Sequence, residues 1–177
     1  MAALWVLFWQ LVRLRRGPED IPYSLGLLAL VIGLDFLASV GGQMLAAPAR
    51  LQTAIGLSLL ALTAEALVLY GLLRFKRLEA RFVQALTGIV GVGLLLGLLA
   101  MPFTLLSHAV GPKSPVIGLI VVAQMLIVGW NLALRGFIYH RALNIGMLQG
   151  NMLSLALFMA TVFLSVKLFP ELIPANG

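Results

Sequence analysis

The sequence predicts an all-α membrane protein: a five-transmembrane-helix bundle with an N-terminal interfacial amphipathic helix. Three observations predict it. The chain is 62% hydrophobic and 10% charged, whereas soluble domains are about half apolar and about a quarter charged. Its mean hydropathy is +1.07, a surplus of apolar surface that needs lipid as solvent. The apolar residues also come in long continuous runs, broken by charge, Pro or Gly and without strand alternation. Such runs cross a bilayer as helices, which satisfy their own backbone groups. With 177 residues, a single integral membrane domain uses the whole length.

Residues 1–16 are predicted to form the interfacial helix. The apolar stretch is shorter than the roughly 20 residues a span needs. Trp5 and Trp9 are four apart and share a face. Tryptophan favours the headgroup region, and Arg13, Arg15 and Arg16 can meet anionic lipid. This segment is expected to act as an anchor, with a partner-docking helix as the alternative. Its basic residues follow the apolar run, the reverse of a signal peptide, so no cleavable leader is expected. Residues 17–22, Gly-Pro-Glu-Asp-Ile-Pro, break the helix.

The spans are predicted at about 23–46, 53–73, 82–106, 115–134 and 142–169. The first begins after Pro22, which suits a first helical turn. The basic loop containing Arg74, Lys76, Arg77 and Arg81 separates the second from the third. Pro102 lies near the end of the third, Pro115 opens the fourth, and Arg135 to Arg141 separates the fourth from the fifth. The fifth is long enough to tilt or protrude.

Charge sets the orientation. Arg13, Arg15, Arg16, Arg74, Lys76, Arg77, Arg81, Arg135 and Arg141 fall on one side of the predicted bundle. Arg50, Lys113 and Lys167 fall on the other. The positive-inside rule then puts the N-terminus in the cytoplasm and the C-terminus outside. The net charge of +6 is explained by those loops, so no nucleic acid partner is expected. Arg74, Lys76, Arg77 and Arg81, with the arginines and tryptophans of 1–16, are predicted to contact lipid headgroups. The lipid bilayer and its anionic lipids are therefore expected partners.

Several chemistries find no footing. The chain has no cysteine, which removes disulfides and thiolate metal sites. His108 and His140 lie in different regions and make no metal-ligand pattern. Ser107 and His108 are adjacent, but adjacency does not put a base on its nucleophile and no third member is evident. No enzyme activity, metal or cofactor is expected.

The candidate site is a polar layer inside the membrane. Asp35 and Glu65 each sit near the middle of an apolar span, where a charge costs roughly 2.5 kcal/mol or more. Such residues face a protein interior or a water-filled cavity. Helical rise puts Asp35 roughly 18 Å from the cytoplasmic boundary, Glu65 roughly 12 Å, Gln124 roughly 16 Å and Asn151 roughly 13 Å. Asp35 shares a face with Ser39 and Gly42, and Glu65 with Ser58 and Ala61. Gln124, Asn131 and Arg135 align on the fourth span; Asn144, Asn151, Ser154, Thr161 and Ser165 align on the fifth. Asp35, Glu65, Gln124, Asn131, Arg135, Asn144 and Asn151 are thus the predicted intramembrane polar or ion site. Arg135 is expected to lie too shallow to reach both acids directly unless water enters. The third span is the packing helix. Gly93 and Gly97 form GxxxG there, and Gly146 and Gly150 repeat the spacing at the start of the fifth. Internal packing is the expected use, with a homodimer face as the alternative.

Two functions are compatible with this layer. The acids can be neutral hydrogen-bonding groups that hold the bundle, as in a scaffold or accessory subunit. Alternatively, they can bind a proton or cation in a small transport or channel component. The absence of a visible internal repeat in so short a chain weighs against a self-sufficient transporter. A lipid-handling role would need a lateral groove.

The runs Leu86-Thr87-Gly88, Leu98-Leu99-Ala100-Met101-Pro102, Trp130-Asn131-Leu132-Ala133-Leu134-Arg135-Gly136 and Arg141-Ala142-Leu143-Asn144-Ile145 resemble bacterial members of the Yip family. The resemblance covers about the last half of the chain. It implies a small five-span protein of the bacterial cytoplasmic (inner) membrane, with a cytoplasmic N-terminus and a periplasmic C-terminus. Its eukaryotic relatives interact with Rab GTPases and shape vesicle membranes, but this chain lacks their long N-terminal region. The resemblance supports fold more than function; together with the polar layer, the expected role is a non-enzymatic, Yip-like scaffold or accessory subunit, working with other membrane proteins or as a homo-oligomer.

Overall fold

The computed structural model describes residues 10–14, 16–46, 51–110 and 114–170. Within them are five helices long and apolar enough to cross a membrane: α1 (Leu25–Ala46), α2 (Leu51–Phe75), α3 (Phe82–Val110), α4 (Ile117–Leu143) and α5 (Met147–Leu168). The shortest has 22 residues, about 33 Å at helical rise, enough for a hydrocarbon core of about 30 Å. Among the described residues there is no strand. Short 3-10 turns at Pro18–Asp20 and Glu79–Arg81 complete the fold.

Two of the boundaries differ from expectation, and the difference matters. α4 does not stop near residue 134. It runs to Leu143, and α5 begins only at Met147. The break falls at Asn144, whose φ of 51° is left-handed, while the Ile145 amide donates back to the His140 carbonyl. Asparagine tolerates that conformation better than most residues, so it ends the helix here. Arg77 ends α2 in the same way, with φ 59° and the Leu78 amide bonded to the Leu73 carbonyl at 2.8 Å. As a result Arg135 lies two turns inside α4, not in a loop.

α3 is the central helix. It packs along α1 and α4, α5 packs on α4, and α2 makes lesser contacts with α1 and α5. The buried core gathers at one end, near the α2–α3 and α4–α5 loops. There Leu69, Leu73, Ile89, Leu134 and Ile138 are fully enclosed. This is the basic end, carrying Arg74, Lys76, Arg77, Arg81 and Arg141. Toward the opposite end the helices spread and expose Leu, Val and Phe side chains, the surface a lipid solvent accepts.

Most of the predicted interfacial helix of residues 1–16 lies outside the described residues, and its last part packs on the bundle. Residues 10–12 form a helical turn. Leu11 is fully buried and packs near Gly88 of α3, while the Val12 carbonyl accepts a hydrogen bond from Trp130 Nε1 of α4 at 3.2 Å. This end of the segment therefore rests against the bundle. Trp5, Trp9 and Arg15 lie outside the described residues; Arg13 and Arg16 are exposed.

Candidate functional site

Glu65 is the centre of the site. It is 5% exposed, on the inward face of α2. Arg135 Nη1 donates to its Oε2 at 2.6 Å, and Tyr139 Oη donates to its Oε1 at 2.6 Å. Arg135 Nε also donates to Asn131 Oδ1 at 2.8 Å. Asn131, Arg135 and Tyr139 are spaced four apart, so α4 presents them as one stripe. Both carboxylate oxygens are satisfied and the charge is neutralised, as a buried acid requires. Arg135 was expected to lie too shallow to bond both acids directly; it bonds Glu65 and not Asp35. Extending α4 past residue 134 carries Arg135 about 12 Å inside the helix. Tyr139 was not among the residues expected here. Its signal was the four-residue spacing from Arg135, hidden by reading the span as ended.

Asp35 faces the same guanidinium from α1, across Gly93 of α3. A Cβ on Gly93 would stand 3.4 Å from Arg135 Nη2 and 3.8 Å from Asp35 Oδ1. The missing side chain therefore lets the second acid approach the cation. Asp35 nevertheless accepts no hydrogen bond from a described residue. It lines a polar cavity of about 210 Å³ bounded by Ser39, Gln43, Ser58, Glu65 and Arg135. Gln43, also absent from the expected set, donates to the Ser39 carbonyl at 3.2 Å and to Ser58 Oγ at 2.9 Å, tying α1 to α2.

Two further clefts meet at this layer. One, about 570 Å³, lies between α2, α3, α4 and α5, with Glu65, Asn131 and Arg135 at its polar edge and Leu, Val and Phe elsewhere. The other, about 330 Å³, lies between α1 and α3 beside Asp35.

Three expected members of the layer stand elsewhere. Gln124 Nε2 donates to Thr104 Oγ1 of α3 at 3.2 Å, nearer the spread end. Asn144 caps α4 at the basic end, where its Oδ1 accepts from Arg81 Nη1 at 3.1 Å. Asn151 sits against Gly136 of α4, and its buried Oδ1 has no partner. Side-chain spacing placed these residues on inward faces but could not say which neighbour each face meets.

The glycines also divide differently. Gly150, not Gly146, crosses Gly136: a Cβ on Gly150 would collide with the Gly136 carbonyl and stand 3.0 Å from the His140 amide. This close approach is the α4–α5 crossing. Gly146 is the N-cap of α5, its amide bonded to Gln149 Oε1 at 2.9 Å. Gly97 has open space where a Cβ would go and forms a cleft wall, not a packing face.

At the basic end, two residues expected to touch lipid are engaged within the protein. Lys76 Nζ donates to the Leu143 carbonyl at 3.0 Å. Arg81 Nη1 donates to the carbonyls of Arg141 and Ala142, each at 3.2 Å. They complement the negative C-terminus of α4. Arg74 and Arg77 are exposed, and Arg141 pairs with Glu19.

Ser107 Oγ donates to the Thr104 carbonyl at 2.7 Å, turned away from any dyad with His108. No group of three His, Asp or Glu residues among the described residues could hold a metal ion. What the arrangement can do is hold charge: one acid is locked in an ion pair, and a second stands close to the same cation without a hydrogen bond. No family model, curated protein or solved structure matches the chain.

Proposed function

We propose that the chain is a non-enzymatic, Yip-like inner-membrane scaffold or accessory subunit, built around a buried polar layer. The supporting observation is the Glu65–Arg135–Tyr139 cluster, in which both carboxylate oxygens accept a hydrogen bond. It joins α2 to α4 at the boundary between the packed end and the open clefts. Removing one partner of such a pair strands a buried charge, so the cluster acts as a clamp on helix arrangement. With Arg135 taken out of the loops, eight basic residues on one side still face three on the other. That bias supports a cytoplasmic N-terminus and a periplasmic C-terminus. Mild detergent extraction from native membranes followed by sizing tests the role. A scaffold or subunit runs as a stoichiometric assembly with a second copy or another membrane protein; a lone-chain particle overturns the reading. A C-terminal reporter active only outside the cytoplasm tests the orientation.

A second reading is a small proton- or cation-coupled transport component. Asp35 favours it, because its carboxylate lacks a hydrogen bond and borders open clefts. Reconstituted liposomes separate the two readings: an Asp35-dependent ion flux belongs to the second, and no flux to the first.

A further inference from the structure

We propose that the cleft between α1 and α3 binds a monovalent organic cation with an apolar body, through Asp35. This rests on the second reading above and names the ligand class for it. The first support is the charge balance. The layer holds two acids and one guanidinium, and Arg135 is hydrogen-bonded to Glu65 and Asn131. Asp35 feels Arg135 across Gly93 but is not bonded to it. The surplus is one negative charge, which one proton or one monovalent cation would balance.

The second support is the cleft itself. It has about 330 Å³ of space. Gly42, Gly93 and Gly97 leave part of its wall without side chains, and Leu98 and Met101 make much of the rest apolar. A small inorganic cation needs about six oxygen ligands to replace its water, and the cleft does not supply them. The polar side chains that line it, Asp35, Ser39, Gln43 and Thr104, carry five oxygens between them. The Thr104 hydroxyl donates to the Ala100 carbonyl and accepts from Gln124. An alkyl- or aryl-substituted ammonium or phosphonium is weakly hydrated and brings its own apolar surface to bury. An anion would meet Asp35 with like charge. Leu45, Leu98 and Leu105 at the rim are exposed, so the mouth opens on the lipid-facing side, where such cations partition.

The test uses tetraphenylphosphonium with the purified full chain in detergent micelles, by equilibrium dialysis. Saturable binding of one probe per chain is expected, unaffected by excess sodium. Asp35→Asn is expected to weaken it roughly tenfold or more, the loss of a charge-assisted contact. Ala38→Leu adds bulk at a residue that lines this cleft and neither of the other two, and is expected to weaken binding while leaving the charged cluster intact; it decides the matter if Asp35→Asn misfolds. Binding unchanged in Ala38→Leu, unchanged in a folded Asp35→Asn, or displaced by sodium overturns the proposal. Asp35-dependent flux in liposomes without phosphonium binding sinks the ligand class and leaves the transport reading standing. Phosphonium binding without flux keeps the site and removes the transport reading.

Discussion

Replacing Arg135 with Met removes the cation that pairs with Glu65. Glu65 is 5% exposed and would keep only the Tyr139 hydroxyl at 2.6 Å. Stranding one member of a buried pair costs about 3–5 kcal/mol, a large share of a typical stability of about 5–15 kcal/mol. Glu65→Leu is expected to cost less. The Arg135 side chain is 32% exposed, keeps Asn131 as acceptor and has Asp35 nearby. The double variant, Glu65→Leu with Arg135→Met, is expected to recover much of the single Arg135 loss, because no charge is then stranded. Unfolding by sodium dodecyl sulfate in mixed micelles, followed by helical circular dichroism, measures all four corners of the cycle. A coupling above about 2 kcal/mol is expected. Additivity within about 0.5 kcal/mol, the behaviour of independent sites, would refute the clamp.

The same unfolding assay checks four further expectations. Tyr139→Phe keeps the ring but removes one donor to Glu65, and should cost about 1.5–3 kcal/mol, less than Arg135→Met. Gly150→Ala drives a methyl into the Gly136 carbonyl and should destabilise the α4–α5 crossing by about 1–3 kcal/mol. Gly97→Ala meets open space and should be neutral or stabilising by about 0.5–1 kcal/mol; equal losses at both glycines would contradict the division between packing and cleft. Asn144→Ala loses both the left-handed preference and the acceptor for Arg81. It should cost about 1–2 kcal/mol, and Asn144→Gly should recover part of it.

Much of the fold was legible because long apolar runs need no tertiary information to be read as helices. Asp35 and Glu65 stood out for a related reason: an acid in such a run is costly wherever the helix goes. Asn131 and Arg135 were legible as a face, and that face does meet Glu65. The α4–α5 boundary was not, because Arg135, His140 and Arg141 look like a loop by composition. Only the left-handed Asn144, with Arg81 and Lys76 holding the last carbonyls, shows where the helix ends. Tyr139 was lost with that boundary. Gln43 does not stand out in sequence, because an amide near a span end has many ordinary uses.

By itself the sequence determined the number of spanning helices, the charge bias between the loops and the presence of two costly acids. These follow from local composition and helical rise, which act within one segment. Tertiary structure alone decided that Glu65 is paired and Asp35 is not hydrogen-bonded. It also decided that Gly150, not Gly146, meets Gly136, and that Gly97 opens a cleft instead of closing one. A helical stripe says which residues point together; which partner they meet depends on the depth and rotation of the neighbouring helix. Those are set by packing across the whole bundle, and no single segment carries them.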